Sequence, residues 1–265
     1  MDPGEVSARI IKWLVSKVRD AGARGVVVGL SGGIDSAVVA ALAKRAFPEG
    51  VLGLIMPCHS DPEDVKDALE VAGVFGIPTR RIDLTPVYDA LLPVLSSVPA
   101  GSEDGAGGGM GESLCNPTDL AAANIKPRLR MITLYYFASK LNYLVAGTGN
   151  RSELTVGYFT KHGDGGVDLL PIGSLVKTQV RKLAEFLGIP EHIRIKPPTA
   201  GLWKGQTDEG EMGISYEELD RYILTGQASP EVAARVRELA RRSEHKRSLP
   251  AIPGLDELGL GRDRV

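Results

Sequence analysis

The chain has 265 residues, 43% of them hydrophobic and 24% charged, values that are ordinary for a globular protein of one large or two small domains. A formal net charge of −2 gives no electrostatic argument for a nucleic acid partner. Cys58 and Cys115 are not spaced as a metal or disulfide motif, and no apolar run reaches membrane-spanning length without a charge. We therefore expect a cytoplasmic protein that binds neither nucleic acid nor membrane.

The first half of the chain alternates between helical and strand patterns. An amphipathic helix is predicted over 3–21, and a second helix should end near residue 47. A third is predicted over 62–75 and a fourth over 87–95. Three short apolar runs predict buried strands, at 26–28, 51–56 and 143–147, and a further strand is predicted at 79–84. This order predicts an α/β fold in which a doubly wound parallel sheet is flanked by helices, with residues 1–265 forming a single domain.

Two segments interrupt the alternation. Residues 96–116 are rich in glycine and read as a surface loop, and 196–213 read as a second irregular loop that contains Trp203. The composition of both loops suggests that they are disordered without ligand. Between them, the longest helical pattern covers 117–141, and its apolar residues occupy more than one face, as in a domain core or a subunit interface.

The later elements are shorter. A helix is predicted over 176–187, a capping box places another helix start at Ser215, and a third helix should run from 229 to about 243. The charged cluster 244–247 follows it. Pattern alone favours a solvated helix end for that cluster.

The segment around Ser31-Gly-Gly-Ile-Asp-Ser36 has the composition of a phosphate-binding turn. It follows the first buried strand, and Asp35 and Ser36 stand where a helix N-cap is expected. The spacing matches neither the dinucleotide G-x-G-x-x-G pattern nor a Walker loop. It places an anion at the carboxyl end of a strand, where doubly wound sheets bind ligands. For Lys177, at the start of a later helix, the residues leave a solvated lysine and a phosphate-directed lysine equally open.

Ser-Gly-Gly-x-Asp-Ser resembles the pyrophosphate loop of the ATP pyrophosphatases, which have an adenine-nucleotide alpha-hydrolase-like fold. Later blocks resemble the NAD⁺ synthetase family over nearly the whole chain. These blocks are 124–131, 147–153, 159–171, 196–200, 208–216 and 244–247, and the Lys161-His-Gly-Asp-Gly-Gly-Val-Asp168 block is the most specific of them.

The resemblance implies that ammonia amidates deamido-NAD⁺ in an ATP- and Mg²⁺-dependent reaction that completes NAD⁺ biosynthesis. The nicotinate carboxylate would first be adenylated with release of pyrophosphate, and ammonia would then displace AMP. No classical nucleophile or acid–base residue is implied. Free ammonia or a separate donor protein is expected, because the sequence holds no stretch for a glutamine-hydrolysing domain.

The resemblance also implies the roles of individual residues. ATP would be bound by Gly29, Leu30, Ser31, Gly32, Gly33, Ile34, Asp35, Ser36, Thr148, Lys177 and Thr199. Deamido-NAD⁺ would be bound by Arg128, Lys161, Asp168, His245 and Lys246. Mg²⁺ would be held by Asp35 and Glu153, since carboxylates suit this hard cation. A homodimer is implied, with the dinucleotide site near the subunit interface.

Two other classes remain open on the residues alone. One is a different ATP pyrophosphatase, such as a GMP synthetase subunit or a tRNA-thiolating enzyme, although the latter usually needs paired cysteines and a basic surface. The other is a non-catalytic nucleotide sensor on the same fold. The presence of both Asp35 and Glu153 favours an enzyme.

Overall fold

The computed structural model describes residues 1–97, 119–203, 205–258 and 260. Four parallel strands form one sheet in the order β3-β2-β1-β4. The strands are β1 (Val26–Gly29), β2 (Val51–Ile55), β3 (Thr79–Arg81) and β4 (Leu144–Ala146). All four predicted strands are therefore present, and the parallel sheet is confirmed.

The helices of the first half are α1 (Pro3–Asp20), α2 (Ile34–Ala46), α3 (Pro62–Phe75), α4 (Thr85–Ser96), α5 (Leu120–Ala123) and α6 (Ile125–Leu141). Those of the second half are α7 (Arg151–Val156), α8 (Lys177–Leu187), α9 (Glu191–Ile195), α10 (Asp208–Met212), α11 (Tyr216–Thr225), α12 (Pro230–Arg242) and α13 (Glu244–Arg247). None of the helices in the described ranges is long and apolar enough to cross a membrane.

The sheet is covered on both faces. One core packs α1, α2 and α8 against it, and a second core packs α4 and α6 on the other side. The side chains of Val26, Val27 and Val28 are fully buried, as expected for a central strand between two helical layers. A third, smaller apolar cluster joins α7, α11 and α12 beyond the sheet.

The chain order creates a switch point in the sheet. From β1 the chain moves outward to β2 and β3, and it then returns to β4 on the opposite side of β1. The carboxyl ends of β1 and β4 are therefore neighbours whose following loops diverge. Such a crevice is where doubly wound sheets bind ligands.

The predicted long helix at 117–141 is divided in the structure. Residues 117 and 118 lie outside the described residues, and Asn124 separates α5 from α6. Pro127 explains the break, because it has no N–H to donate to the carbonyl of Ala123, four residues earlier. On α6, Leu129 packs in the core, whereas Ile132 and Tyr136 are each 60% exposed.

The two predicted loops have different outcomes. Beyond residue 97, the first loop, 96–116, lies outside the described residues. The second, 196–213, is irregular only in part, because α10 lies within it. The capping box at Ser215 is confirmed, with Ser215 accepting from the N–H of Glu218.

Candidate active site

The loop after β1 is a hydrogen-bonded turn built by its two serines. The hydroxyls of Ser31 and Ser36 are 3.0 Å apart, and the N–H of Gly33 donates to Ser31 Oγ. Ser36 Oγ in turn donates to the carbonyl of Gly33. The predicted cap position is wrong. Gly33 is the N-cap of α2, and Asp35 and Ser36 lie within its first turn, because the glycine takes the extended backbone conformation that precedes the helix.

The loop after β4 is fixed by Asn150, which the sequence analysis did not single out. Asn150 is fully buried and forms a capping box with Glu153, each accepting from the other's backbone N–H at 3.1 Å. Its side-chain NH₂ also donates to Asp35 Oδ1 at 3.1 Å. Asn150 therefore holds both predicted metal carboxylates, Asp35 through its side-chain NH₂ and Glu153 through its backbone N–H.

Lys177 lies between these carboxylates. Its side chain is only 2% exposed; its Nζ donates to Asp35 Oδ2 and is 3.5 Å from Glu153 Oε1. The solvated-lysine interpretation is therefore wrong. The three residues form an ion-paired group, called here the Asp35–Lys177–Glu153 triad, whose members come from α2, α8 and α7.

Burial and pairing set the charges of the triad. Desolvation raises the pKa of Glu153 to about 8; the charge of Lys177 opposes this rise and that of Asp35 adds to it. For Lys177, burial lowers the pKa, but the attraction of Asp35 and Glu153 outweighs it and leaves the pKa above its ordinary value. Lys177 therefore stays charged, and Glu153 is the member whose ionisation a further cation favours.

The start of α8 is positioned by side chains from other elements. The N–H of Lys177 donates to Ser152 Oγ at 3.0 Å, and the N–H of Thr178 donates to Asp220 Oδ2 at 2.7 Å. Ser152 also donates to the other oxygen of Asp220. All these caps come from α7 and α11, so the position of Lys177 depends on the third apolar cluster.

A cavity of about 460 Å³ opens beside the triad. Most of the predicted ATP residues line it, namely Gly29, Leu30, Ser31, Gly33, Ile34, Asp35, Ser36, Thr148, Lys177 and Thr199. Glu153 also lines it. Gly32 is not among the lining residues. It has φ of +80°, and a Cβ there would lie 2.3 Å from the carbonyl oxygen of Asp64, so glycine is required by close backbone contact.

One wall of the cavity is formed by the segment 197–202. Lys126 is a buried residue of α6, and its Nζ donates to the carbonyl of Leu202 at 2.7 Å. The N–H of Leu202 donates to Gln206 Oε1 at 2.8 Å. Thr199 lies between this attachment and Lys196, and the carbonyl of Pro198 beside it accepts from the N–H of Asp208 at 3.1 Å.

The residues predicted to bind deamido-NAD⁺ are dispersed. Arg128, Lys161, Asp168 and His245 are not among the residues that line the cavity, whereas Lys246 is. Arg128 and His245 are exposed, and Lys161 Nζ donates to the carbonyl of His245 at 2.6 Å.

Asp168 has structural partners. It accepts from Tyr135 Oη at 3.0 Å and from the N–H of Val145 at 2.8 Å. Burial, and then the neighbouring Asp168 charge, raises the pKa of Tyr135 to about 12. The carboxylate therefore fastens the segment after β4 to the sheet.

A second cavity of about 390 Å³ adjoins the first. Both are lined by Thr148, Glu153, Phe159, Asp164 and Lys246. Lys246 Nζ donates to the carbonyls of Gly157 and Phe159, each at 2.8 Å. This brings Lys246 of the charged cluster 244–247 to the site, where pattern alone favoured a solvated helix end.

Two acidic residues of the cavity wall were part of a quoted block but received no role in the sequence analysis. Asp208 is 4% exposed and accepts from Tyr216 Oη at 2.8 Å, and Glu211 accepts from Tyr158 Oη at 2.5 Å. Burial raises the pKa of Asp208. The Asp208-Glu-x-Glu pattern was the only indication of them in the sequence. It predicts carboxylates on one short helix, but it does not show which part of the protein they face.

The site offers two carboxylates as oxygen ligands for a hard cation such as Mg²⁺. Asp35 and Glu153 already share one cation, Lys177, and are of the ligand type that Mg²⁺ prefers. Across the ranges that the structure describes, no group of three or more His, Cys, Asp or Glu side chains is arranged to hold a metal ion. Two carboxylates fit Mg²⁺ when phosphate oxygens and water complete its shell, as is usual for this ion.

The sequence as a whole matches a known family model. The model described as NAD synthase covers residues 6–250. The NH(3)-dependent NAD(+) synthetase of Carboxydothermus hydrogenoformans is 52% identical over 95% of this chain and 98% of its own length. The protein of the same name from Syntrophomonas wolfei is 48% identical over 95% of this chain and 96% of its own length.

Solved structures are similar over almost the full length. NMN synthetase from Francisella tularensis has a TM-score of 0.86 and 38% identity, with 96% of this chain and 99% of that chain covered. The NH3-dependent NAD synthetase from Campylobacter jejuni has a TM-score of 0.73 and 30% identity, with 96% and 100% covered.

Proposed function

The chain belongs to the NAD synthase family, and from this premise we propose that it is an ammonia-dependent ligase that amidates deamido-NAD⁺ in the last step of NAD⁺ biosynthesis. Membership of the family favours this reaction over the GMP synthetase, tRNA-thiolating and sensor alternatives. The observation that carries the mechanism is the Asp35–Lys177–Glu153 triad at the switch point of the sheet.

Adenylation is the first chemical step of the proposal. ATP occupies the 460 Å³ cavity, with its β and γ phosphates at the loop 31–36. The nicotinate carboxylate oxygen attacks the α-phosphorus, the bond from that phosphorus to the bridging oxygen breaks, and pyrophosphate leaves. Lys177 and the start of α2 stabilise the charge that develops on the phosphate oxygens.

Amidation is the second step. Ammonia attacks the carbonyl carbon of the adenylate, the carbon–oxygen bond to AMP breaks, and the amide forms with release of a proton. The leaving group is a phosphate monoester anion, and no protein nucleophile is needed. The chain's contribution is to hold the two reactants in line and to exclude water.

Asp35 and Glu153 would hold Mg²⁺ in this proposal. The cation would neutralise phosphate charge and polarise the α-phosphoryl group. Lys177 would continue to pair with the carboxylate oxygens that remain free. Burial raises the pKa of Glu153, and a bound cation would favour the ionised carboxylate, which is the form that ligates Mg²⁺.

Arg128, Asp168 and His245, which are exposed, and the half-buried Lys161 would form a dinucleotide site that a second copy completes. Ile132 and Tyr136, each 60% exposed on α6, offer an apolar face beside Arg128. We therefore include a homodimer in the proposal. Sedimentation as a monomer at micromolar concentration would contradict this part of it.

The decisive assay mixes the protein with ATP, Mg²⁺, ammonium and deamido-NAD⁺ and follows NAD⁺ and AMP. Equal amounts of both products are expected from the wild type, and Asp35→Asn should form them at least about a hundredfold more slowly. Asp20→Asn, which changes a largely exposed carboxylate on α1, is the matched control and should be fully active. Absence of NAD⁺ in the wild-type reaction would refute the proposal.

A second substrate is favoured by the similarity to NMN synthetase of Francisella tularensis at a TM-score of 0.86. The amidation takes place at the nicotinate carboxylate and does not involve the AMP portion of the dinucleotide. Nicotinate mononucleotide should therefore be assayed in parallel. A kcat/KM at least tenfold higher for the mononucleotide would select it as the substrate, and the reverse would select the dinucleotide.

A further inference from the structure

We propose that Lys196 is a positioning residue that holds the segment 197–202 over the ATP cavity by pairing with two carboxylates of α3. ATP as the ligand rests on the proposed function above. Lys196, Asp64 and Asp67 are called here the Lys196 clamp.

The clamp is short and partly buried. Lys196 Nζ is 2.8 Å from Asp64 Oδ1 and 2.5 Å from Asp67 Oδ2. Asp67 is 3% exposed, so its carboxylate has little access to solvent and depends on this partner. Burial lowers the pKa of Lys196, but the hydrogen bonds to Asp64 and Asp67 outweigh it and raise the pKa above its ordinary value. The lysine is therefore charged throughout the neutral range.

Other charges around the clamp come from α3 and α9. His192 Nε2 lies 3.4 Å from Asp67 Oδ1 and 3.4 Å from Glu70 Oε2. The imidazole is about half exposed, whereas Lys196 approaches Asp67 more closely and more deeply. Lys196 is thus the principal counter-charge of the buried carboxylate.

The clamp lies where the chain leaves α9 and enters the cavity wall. Lys196 is the C-cap of α9 and has the extended backbone from which the segment begins. The far end of the segment is held by Lys126 through the carbonyl of Leu202. Thr199, the predicted ATP contact, lies between these two attachments. The carbonyl of Pro198, next to Thr199, also accepts from the N–H of Asp208 at 3.1 Å. Loss of the clamp therefore removes the ion pairs that fix the start of the segment, which then depends on the hydrogen bonds of Pro198 and Leu202.

The clamp also connects the segment to the phosphate loop. Asp64 uses its side chain for Lys196, while its backbone carbonyl packs directly against Gly32. Asp64 and Lys196 both line the cavity. The first turn of α3 therefore contacts both the phosphate loop 31–36 and the start of the segment 197–202.

The test uses chymotryptic cleavage of the full-length chain at 202–203, with and without ATP and Mg²⁺. Lys196→Met removes the charge and keeps an apolar stem. We expect cleavage without ATP to be about tenfold faster, and the ATP concentration needed for protection to rise about tenfold, because fewer molecules hold the binding-competent conformation. KM for ATP should rise in parallel, with kcat within about threefold of the wild type. Lys196→Arg should restore most of the protection.

Lys66→Met is the matched control, because it breaks the exposed ion pair with Glu63 on the same helix. It should leave cleavage and KM unchanged. Asp67→Asn is the second variant in case Lys196→Met does not fold, and it should shift both quantities in the same direction.

Unchanged cleavage of Lys196→Met and Asp67→Asn without ATP would overturn the proposal. In that event a weaker effect of ATP would assign Lys196 to direct phosphate contact. Failure of the proposed function is distinguishable. A wild type that makes no NAD⁺ but whose ATP protection depends on Lys196 would refute the reaction and support the clamp.

Discussion

Replacement of Glu153 by glutamine separates the role of this carboxyl in stability from its role in activity. The amide keeps the shape of the side chain, and its oxygen can still accept from the N–H of Asn150. The change removes the carboxyl whose ionisation adds a second negative charge to the Asp35–Lys177–Glu153 triad. Asp35 remains paired with Lys177 in the variant.

The expected magnitude follows from the pKa of Glu153, which burial raises from about 4.5 to about 8. A group whose pKa is higher in the folded state stabilises that state below the unfolded pKa and loses this contribution as the pH rises through the folded pKa. Such a rise corresponds to at most about 4–5 kcal/mol. The attraction of Lys177 and local relaxation make the actual contribution smaller. We therefore expect the free energy of unfolding of the wild type to fall by about 2 kcal/mol, relative to that of Glu153→Gln, as the pH rises from 5 to 9.

The measurement is urea unfolding of both proteins without ligand, from pH 5 to pH 9. The stability of Glu153→Gln should rise relative to that of the wild type as the pH rises. Addition of ATP with Mg²⁺ at pH 8 should make the wild type the more stable protein, because only the wild type offers the second carboxylate. A stability difference that stays constant across this range would refute the reasoning. It would mean that Glu153 is already ionised at pH 5, with the attraction of Lys177 dominating its burial.

Three other substitutions test the site. Asp35→Asn should lower kcat for NAD⁺ formation at least about a hundredfold by removing a metal ligand; an active variant would remove Asp35 from that role. Gly32→Ala should lower the free energy of unfolding by about 1–3 kcal/mol in chemical denaturation, because it forces a Cβ toward the carbonyl of Asp64 at a positive φ; unchanged stability would show that α3 moves aside. Lys161→Ala should raise KM for deamido-NAD⁺ about tenfold with KM for ATP unchanged, since it removes a cation and the attachment to His245; unchanged binding of the dinucleotide in calorimetry would show that the family role does not apply at this position.

Much of the architecture was predictable because it depends on short-range patterns. The valines 26–28 are apolar on both sides of the strand, and strict alternation of strands and helices forces parallel pairing. The Ser-Gly-Gly-x-Asp-Ser turn likewise identifies its place at a strand end. The N-cap assignment was wrong by two residues, because the extended glycine at 33 ends the turn earlier than the acidic residue suggests. The single-domain organisation and the roles of the individual site residues stay predictions.

Pairings between distant side chains were not predictable. Lys177 and Asp35 are 142 residues apart, and nothing near either residue indicates the other. The sequence left Lys177 equally open to solvent and to phosphate. Only the packing of α8 against α2, with its start capped by Ser152 and Asp220, buries the lysine between two carboxylates.

The sequence by itself determined the strand and helix types, the phosphate turn and the family resemblance, since these are written in periodicity and in contiguous motifs. The tertiary structure alone decided which charges meet: Lys177 with Asp35 and Glu153, Lys196 with Asp64 and Asp67, and Asn150 with Asp35. It also decided that Asp168 bonds to Tyr135 and to the backbone of β4. The physical reason is that the free energy of an ion pair depends on distance and burial, and both are set only when remote segments pack together.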